Sequence, residues 1–332
     1  MGATERRVLH VLPHAGGGGD TYVDMLAAMS GYTFTRVHLA PARKPGPTAV
    51  ARGIADVIRH LRGHDLLHVH GEVTGSLFLP LLAARPSVLT LHGLHFLRRV
   101  SGLARRAAEL NLRAVLRAAD RTICVSQAEH DALAAVVHAR AERKSVVVHN
   151  GVPSAAAEPT QLDLPPPVGI WVGSLDERRD PLAVIRAAES TSTSLLVVGE
   201  GALRGDVERA AGAHMRVLGQ RPDVANLLAA ADFFVLMSQR EGLSFALLEA
   251  MAQGLPAIVA DIPENLEAIG DSGIAVPYGD EGAVAAAIRR LADDEERAVL
   301  GTRARRRVTD LFSAEQMIAR TRAVYEEVVG SV

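Results

Sequence analysis

The sequence has little cysteine and no long uncharged apolar stretch. One cysteine occurs among 332 residues, so no disulfide can form within the chain. Cys124 lies in the strand-like run RTICVS and is expected to be a buried apolar residue. No cysteine and histidine spacing typical of a metal site is present. No window approaches the ~18 uncharged apolar residues of a membrane-spanning helix. The apolar run before Pro13 is too short for a secretory signal. We therefore expect a cytoplasmic protein without a metal.

The chain also lacks a strong charge of either sign. Its net charge is −2 and its isoelectric point is near 6.7, which argues against general attraction to nucleic acid or to anionic lipid. Hydrophobic residues make up 48% and charged residues 22% of the chain, as in ordinary globular proteins. The length is about twice that of a typical domain, so two domains are expected.

Short apolar runs of strand length alternate with longer amphipathic stretches, such as 49–62 and 103–119. Nearly every residue of these short runs is apolar, which is typical of a parallel sheet covered by helices on both faces. In the first half the predicted strands are 7–13, 35–41, 65–71, 87–93, 121–126 and 145–151. In the second half they are 168–174, 194–201, 215–220, 231–238, 256–261 and 273–277.

A proline-rich segment without helical or strand periodicity, 154–167, separates the two halves and is typical of a linker. The predicted organisation is an N-terminal domain, 1–153, the linker, and a C-terminal domain, 168–314. The expected fold class is α/β, with two doubly wound Rossmann-like domains that face each other across a cleft. Ligands of such sheets bind at the carboxyl ends of the strands.

Two glycine-rich turns follow predicted strands. The run GGGGD, 16–20, would let the backbone approach a phosphate and lead into a helix N-terminus. A dinucleotide fingerprint also needs a third glycine, but Thr21 or Tyr22 stands at that position. In GEGALR, 199–204, Arg204 stands there instead. Nicotinamide and flavin enzymes are therefore disfavoured, and no cofactor is expected.

The stretch FVLMSQREGLSFALLEAMAQG, 234–254, places two glutamates on either side of a Gly-Leu-Ser turn. Ser244 or a neighbour is predicted to cap the helix that follows. The helix amides and dipole would then suit a diphosphate. Glu241 precedes the cap and Glu249 lies about one and a half turns inside the helix. Carboxylates in these places would accept hydrogen bonds from a sugar on one side and a ribose on the other.

This stretch resembles the E-x7-E region of retaining GT-B glycosyltransferases, family four (glycosyl transferases group 1). The resemblance covers essentially the whole chain. GGGGDTYVDMLA is similar to the first glycine loop and helix of the family, and TLHG is similar to its strand-end histidine. CVS, HNGV, GSLDERRDPL, VVGEG and the terminal FSAEQMIARTRAVYEEV follow in family order. The resemblance implies that the terminal segment, 315–332, is a helix returning to the N-terminal domain.

The resemblance also implies roles for individual residues. Glu249 would bind the ribose hydroxyls and Glu241 the donor sugar. Arg179 matches a lysine that neutralises the leaving diphosphate, and His92 matches the histidine near the reaction centre. The remaining donor-binding candidates are Gly17, Gly18, Gly173, Ser174, Gly242, Leu243, Ser244, Phe245 and Ala246. The candidates on the acceptor side are His14, Glu72 and His95.

The chain departs from the family at Ser174, where an arginine usually helps to neutralise the diphosphate. Arg178 is a candidate to replace that charge. The implied function is retaining transfer of a sugar from a UDP-sugar, in preference to a GDP-sugar, to an acceptor hydroxyl without a metal. A catalytically weak sugar-nucleotide-binding subunit, a sugar-nucleotide epimerase and a phosphorylase remain alternatives.

The basic segment between His95 and Arg121 bears on the acceptor. Some relatives use a basic, apolar-edged helix in this region to sit on membranes. Leu103, Leu110 and Leu116 are predicted to pack on the sheet, which leaves Phe96 and Leu97 as candidates for an exposed apolar edge. That edge is small, so membrane contact is not favoured. A soluble small-molecule or glycoside acceptor is expected.

Overall fold

The computed structural model describes residues 5–40, 46–136 and 143–330. These residues form two compact units. One takes in the chain up to Asn150 together with the segment that starts at Ala314, and the other is Gly151–Ser313. Each unit contains a six-stranded parallel sheet with helices, which confirms the predicted α/β fold class. No helix in the described ranges is both long enough and apolar enough to cross a membrane.

The sheet of the first unit has the strand order β2-β1-β3-β4-β5-β6, and its neighbouring strands pair in parallel. Its strands are β1 (Arg6–Leu12), β2 (Tyr32–His38), β3 (Leu66–His70), β4 (Ser87–Thr90), β5 (Arg121–Cys124) and β6 (Ser145–Val147). All six overlap with predicted strands, although β2 begins and ends three residues before the predicted 35–41. The order reverses between β1 and β3, so the loop after β1 lies at the topological switch point of this unit.

The helices of the first unit are α1 (Gly18–Leu26), α2 (Pro47–His60), α3 (Glu72–Leu77), α4 (Leu79–Ala84), α5 (Gly102–Ala118) and α6 (Gln127–Ala134), together with the chain's last helix, α14 (Ala314–Val329). A short 3-10 helix, Leu61–Gly63, follows α2. Helices α2 and α5 match the predicted amphipathic stretches to within two residues.

The two faces of the first sheet differ in chemistry because side chains alternate along a strand. Leu9 and Val11 on β1 belong to an apolar cluster with Leu67 and Val69 on β3. The residues between them point to the opposite face and are histidines: His10, His68 and His70, all buried. This face is covered in part by Tyr22 of α1 and Tyr325 of α14, which pack edge-on against His68.

The sheet of the second unit has the order β12-β11-β10-β7-β8-β9, again with parallel pairings. Its strands are β7 (Val168–Val172), β8 (Ser194–Val198), β9 (Met215–Gly219), β10 (Phe233–Leu236), β11 (Ala257–Ala260) and β12 (Gly273–Val276). The order reverses between β7 and β10. The loops that follow these two strands therefore lie at the position where doubly wound folds bind ligands.

The helices of the second unit are α7 (Pro181–Ser190), α8 (Arg204–Ala210), α9 (Val224–Ala230), α10 (Phe245–Ala252), α11 (Pro263–Ile269), α12 (Glu281–Arg290) and α13 (Asp294–Leu311). Side-chain caps fix several of their starts. Asp180, Asp280 and Asp293 each accept a hydrogen bond from a backbone N–H one turn on, and such caps are typically worth about 1 kcal/mol. Segment 154–167 contains no helix or strand, and its Ala157 and Thr160 amides bond to Gln253 and Asn226.

The prediction for α5 was partly wrong. Leu116 is buried as expected, but Leu103 is 82% exposed and Leu110 is 63% exposed. The helix packs instead through Ala108, Leu112, Val115 and Leu116, which recur at helical spacing on another face of the helix. Leu97 was also predicted wrongly as an exposed edge residue, since it is buried, whereas Phe96 is 43% exposed.

Candidate active site

In the second unit, two loops at the switch point carry most of the predicted donor-binding residues. The loop after β7 contains Gly173 and the arginine pair Arg178 and Arg179, and the loop after β10 contains Glu241. The loops are joined by two hydrogen bonds. Gln239 N donates to Arg178 O at 2.9 Å, and Arg178 Nη1 donates to Arg240 O at 2.8 Å. Charged side chains from different strands are thereby held close together.

Both arginines of the β7 loop approach one carboxylate. Arg179 Nη2 lies 3.3 Å from Glu241 Oε1, and Arg178 Nη1 lies 3.6 Å from the same oxygen. All three side chains are largely buried. Arg179 Nε is buried without a hydrogen-bond partner among the described residues. A buried donor of this kind favours an acceptor that binds here, because an unmet donor costs about 1–3 kcal/mol.

Glycine at position 173 leaves room for the Arg179 guanidinium. A Cβ at Gly173 would collide with Arg179 Nη1, so any side chain here would displace the arginine. The next residue, Ser174, is partly buried, and its carbonyl accepts from Asp176 N at 2.9 Å. The adjacent arginines both approach Glu241, so the loop that carries Ser174 also carries two guanidinium groups beside one carboxylate.

Helix α10 begins beside this cluster. Ser244 caps it as predicted, with its side chain accepting a hydrogen bond from Leu247 N. The turn Gly242–Leu243–Ser244 and Phe245 are buried, and Ala246 is partly buried. Glu249 lies one turn further along the helix among buried apolar residues, and burial raises the pKa of its carboxyl to about 7. A partly buried carboxyl with no ion pair among the described residues favours a polar ligand that can donate hydrogen bonds to it.

In the first unit, the glycine run forms the switch-point loop after β1. Gly16 and Gly17 have positive φ angles, and α1 begins at Gly18. Asp20, a residue that sequence reasoning missed, organises this loop. Its carboxylate accepts from Gly16 N at 2.6 Å and pairs with His38 Nε2 at 2.8 Å. The amides of this loop are thus partly committed to a carboxylate of the chain itself.

His92 follows β4 in an unusual backbone conformation. Its φ is 62° and that of Gly93 is 94°, and a left-handed residue other than glycine is uncommon. Glu129 on α6 holds this turn, because its buried carboxylate accepts from Gly93 N and from Val125 N. His92 Nε2 lies 2.8 Å from His70 Nδ1, and burial lowers the pKa of His92 to about 3. His92 is therefore a neutral, fixed group.

The acceptor-side candidates lie on loops and helix starts of the first unit. Glu72, the first residue of α3, accepts hydrogen bonds from Phe96 N and Leu97 N, and burial raises the pKa of its carboxyl. His95 is partly buried in that same loop. His14 is partly buried after β1, where its Nδ1 lies 3.1 Å from Ala15 O. Glu72 thus holds the loop that follows His92.

Two family models match the chain. The model described as "Glycosyltransferase Family 4" matches residues 9–155, and the model described as "Glycosyl transferases group 1" matches residues 166–294. The matches fall on the two halves of the chain and include all the candidate residues above.

Individual proteins agree with these matches. N-acetyl-alpha-D-glucosaminyl L-malate synthase of Bacillus anthracis is 39% identical over 116 residues, which are 34% of this chain and 30% of that protein. UDP-Gal:alpha-D-GlcNAc-diphosphoundecaprenol alpha-1,3-galactosyltransferase of Escherichia coli is 27% identical over 304 residues, 80% of this chain and 76% of the relative. The structure of HepE of Anabaena, solved in complex with UDP and glucose, matches this chain with a TM-score of 0.79 at 17% identity. The match covers 97% of this chain and 100% of the HepE chain. The chain belongs to the GT-B glycosyltransferases of group 1, family four.

Proposed function

We propose that this glycosyltransferase moves a hexosyl group from a UDP-sugar, in preference to a GDP-sugar, to an acceptor hydroxyl with retention of anomeric configuration. The observation that carries the proposal is the meeting of Arg179 and Glu241 at the switch point, beside the capped start of α10. The preference for uridine draws support from the UDP named with HepE and from the UDP-galactose donor named for the E. coli relative.

Each donor group has a matching partner in the second unit. The ribose hydroxyls would bond to Glu249, for which the described part of the chain supplies no ion pair, and the sugar hydroxyls would bond to Glu241. The diphosphate would accept hydrogen bonds from the Arg179 guanidinium and from the backbone amides of Gly242 to Ala246. Helix N-termini favour such anions through their free N–H groups and dipole. In the first unit, Gly17 and Gly18 would contact the diphosphate and His92 the donor sugar.

Retention is proposed to proceed by front-face attack. The bond from the anomeric carbon to the diphosphate oxygen breaks as the acceptor oxygen bonds to that carbon on the same face. The acceptor proton passes to the departing diphosphate oxygen, which serves as the base. Both relatives named above make alpha-linked products, which supports retention because common UDP-hexoses carry an alpha-linked sugar.

The leaving diphosphate gains negative charge as the bond breaks, and this charge needs a cation. Arg179 and Arg178 supply guanidinium groups in a largely buried site, where preorganised charge lowers the barrier most. We propose that these groups serve in place of a metal. The missing family arginine at Ser174 is offset by Arg178, which the structure holds beside Glu241.

For the acceptor we propose a small molecule or glycoside, recognised near His92, His95, Glu72 and His14. The L-malate derivative named for the B. anthracis relative supports an acceptor of this size. His95 belongs to the loop that continues from His92, and Glu72 at the start of α3 holds that loop through Phe96 N and Leu97 N. This contact supports a role for both polar groups next to the reaction centre.

A lipid-linked acceptor is the second candidate, and a specific observation favours it. Val73, Leu77, Phe96, Leu103 and Leu110 are all exposed on α3, α5 and the loop before α5. Arginines 98, 99, 105 and 106 lie in the same segment. Exposed apolar residues beside arginines suit an anionic membrane surface, and the E. coli relative is named for a diphosphoundecaprenol acceptor.

Sedimentation with anionic vesicles at about 0.15 M salt separates the two acceptors, because attraction to a basic surface partly survives this ionic strength. If the acceptor is a small molecule, we expect that the protein does not co-sediment with the vesicles. Strong co-sedimentation that is lost when Arg98, Arg99, Arg105 and Arg106 become glutamine would support the lipid-linked acceptor. The variant pair Leu103→Ser and Leu110→Ser then measures the apolar contribution separately.

Incubation with UDP-sugars, GDP-sugars and an acceptor panel tests the reaction itself. Sugar transfer supports the proposal. Inversion of a donor hydroxyl would instead identify an epimerase, and binding without turnover would identify a sugar-nucleotide-binding subunit.

A further inference from the structure

Three histidines of the first unit form a continuous hydrogen-bonded chain. His10 Nδ1 lies 2.8 Å from His70 Nε2, and His70 Nδ1 lies 2.8 Å from His92 Nε2. The three residues come from β1, β3 and the turn after β4, so the chain crosses three adjacent strands. His10 and His70 are buried, whereas His92 is partly exposed. The chain therefore leads from the interior of the unit to its candidate reaction centre.

The rings of this chain are also fixed by stacking. The His10 and His70 rings lie 5.1 Å apart at 27°, and the His70 and His92 rings lie 5.1 Å apart at 21°. Tyr22 packs edge-on against both His70 and His92. Each imidazole is thus held in one orientation by its neighbours on both sides.

The rings are neutral in this environment. Burial lowers the pKa of His10 and of His70 well below the ordinary value, and neighbouring histidines lower both further. A neutral imidazole carries one proton, on either Nδ1 or Nε2. Because each hydrogen bond of the chain needs one donor, all three rings must be protonated at the same type of nitrogen. The chain has only two consistent states: Nδ1–H throughout or Nε2–H throughout.

The inner end of the chain decides between these states. His10 Nε2 is buried and has no partner among the described residues. The Nε2–H state would place an N–H donor at this atom with no acceptor, and buried orphan N–H groups are rarer than under-used acceptors. The Nδ1–H state leaves only a lone pair there. It also places the last N–H on His92 Nδ1, at the partly exposed end of the chain, where no described residue pairs with it.

A cluster of histidines could instead bind a metal ion. Potential ligand atoms of His10, His68 and His70 lie within 4.8 Å of one another. Five of the six ring nitrogens of these residues are already hydrogen-bonded, however, and His10 Nε2 is the exception. His68 bonds to Tyr325 and Thr90 at 2.7 Å each, and His10 and His70 bond to each other at 2.8 Å. Zinc would hold each nitrogen at about 2.0–2.1 Å and would require these bonds to break. The geometry favours a hydrogen-bonded chain.

We propose that His10 and His70 are positioning residues that fix His92 as an Nδ1–H donor aimed at an oxygen of the donor sugar. This inference rests on the proposed function for the role of His92, but the tautomer itself does not depend on transfer. With Nε2 occupied by His70 and Nδ1 protonated, His92 donates a hydrogen bond and does not serve as the base. The acceptor proton therefore goes to the departing diphosphate.

Nitrogen-15 NMR of the full chain with labelled histidine tests the tautomer directly, because protonated and unprotonated ring nitrogens have well separated chemical shifts. At pH 7 we expect Nδ1–H signals for His10, His70 and His92, each assigned by its single substitution. Nε2–H at His92 in the wild-type protein would overturn the proposal. If the protein shows the expected tautomer but transfers no sugar, the result would support the hydrogen-bonded histidine chain and contradict only the proposed function.

Substitution of His10 tests whether the effect passes along the chain. Asn places an amide donor near the position of Nδ1, so His10→Asn should retain the Nδ1–H signal of His92 and most of kcat. His10→Leu removes the donor and should convert His92 to a mixture of tautomers. Its kcat should fall roughly tenfold while the KM for the nucleotide sugar stays within about twofold.

His64→Leu is the matched control, since His64 lies in the same unit outside the chain and bonds to His60 and Thr35. It should leave the His92 signal unchanged. An unshifted His92 signal in His10→Leu would overturn the relayed effect. Equal losses of kcat in His10→Leu and His10→Asn would do so as well.

Discussion

Arg179 Nη2 lies 3.3 Å from Glu241 Oε1, although the two residues come from loops after different strands. Arg178 approaches the same oxygen at 3.6 Å. A carboxylate shared by two guanidinium groups holds both of them in place before a ligand binds. Under the proposed function, this preorganised positive charge would stabilise the leaving diphosphate.

The first prediction concerns this preorganised charge. Arg179→Ala should lower kcat by about 10²–10³-fold, because the departing diphosphate that Arg179 is proposed to contact gains charge in the transition state. The melting temperature should change little, since Arg178 remains to pair with Glu241. Steady-state kinetics and thermal unfolding measure the two effects. Arg186→Ala is the control, because Arg186 is an exposed arginine of the same unit that pairs with Glu281. A fully active Arg179→Ala enzyme would contradict the role.

The second prediction concerns Glu249 and pH. Burial raises its carboxyl pKa to about 7, and ribose hydroxyls donate to the ionised form. Lowering the pH from 8 to 6 should therefore protonate the free carboxyl and weaken UDP binding by roughly tenfold. Isothermal titration calorimetry at both pH values measures this change.

Glu249→Gln should bind UDP more weakly at pH 8, by roughly 1.5–3 kcal/mol, and should lose most of the pH dependence. Glu295→Gln, at an exposed position of the same unit, should behave as wild type. UDP affinity that stays constant from pH 6 to pH 8 in the wild-type protein would refute this assignment.

The third prediction concerns the departure from the family at Ser174. Ser174→Arg should retain or raise kcat, because the added guanidinium would restore the charge that the family usually carries at this position. The measurement is kcat with the preferred UDP-sugar. A well-folded but inactive Ser174→Arg protein would show that this enzyme holds the diphosphate in a different arrangement.

The fourth prediction concerns stability in acid. Burial lowers the pKa of His10, His68, His70 and His92 in the folded protein, so below about pH 6.5 the unfolded chain binds more protons than the folded one. Each histidine then lowers the free energy of unfolding by up to ~1.4 kcal/mol for every unit by which the pH falls. The raised pKa of Glu249 acts in the opposite direction between about pH 4.5 and 7 and offsets one of the four. The raised pKa of Glu72 acts in the same direction as that of Glu249.

The free energy of unfolding should therefore drop by up to about 4 kcal/mol per pH unit as the pH falls below about 6. Urea unfolding at intervals from pH 7 to pH 4.5 measures this slope. His68→Gln should reduce this slope by about one third, because it removes one of the three net contributions. A stability that stays constant down to pH 4.5 would show that the histidines are not buried as neutral groups.

Several features were predictable from the sequence because they depend on local chemistry. Apolar runs of strand length predicted the strands of both sheets, and Ser244 was identified as a cap from its place before an apolar helix. The capping role of Ser126 and Glu129 was missed, although Ser-Gln-Ala-Glu is a capping-box sequence. In the structure Glu129 reaches Val125 N and Gly93 N instead, which links two strands that no local pattern connects.

Other features depend on which strands become neighbours. The alternation in HVL and LLHVH places His10, His68 and His70 on one face, but only the strand order shows that they meet. Leu103 and Leu110 were assigned to the wrong face because α5 carries alanine and leucine residues on several of its faces. The packing of Leu112 and Val115 against the sheet decided its orientation.

The central claim is that Glu241 and Glu249 serve retaining sugar transfer from a UDP-sugar. The most direct test is NMR of the anomeric signal formed from UDP-hexoses labelled with carbon-13 in the presence of the acceptor panel. The account predicts a new alpha-anomeric signal together with free UDP. In Glu241→Ala and Glu249→Ala proteins that remain folded, this signal should be lost or strongly reduced. A beta-anomeric product, or equal transfer by both variants, would contradict the account.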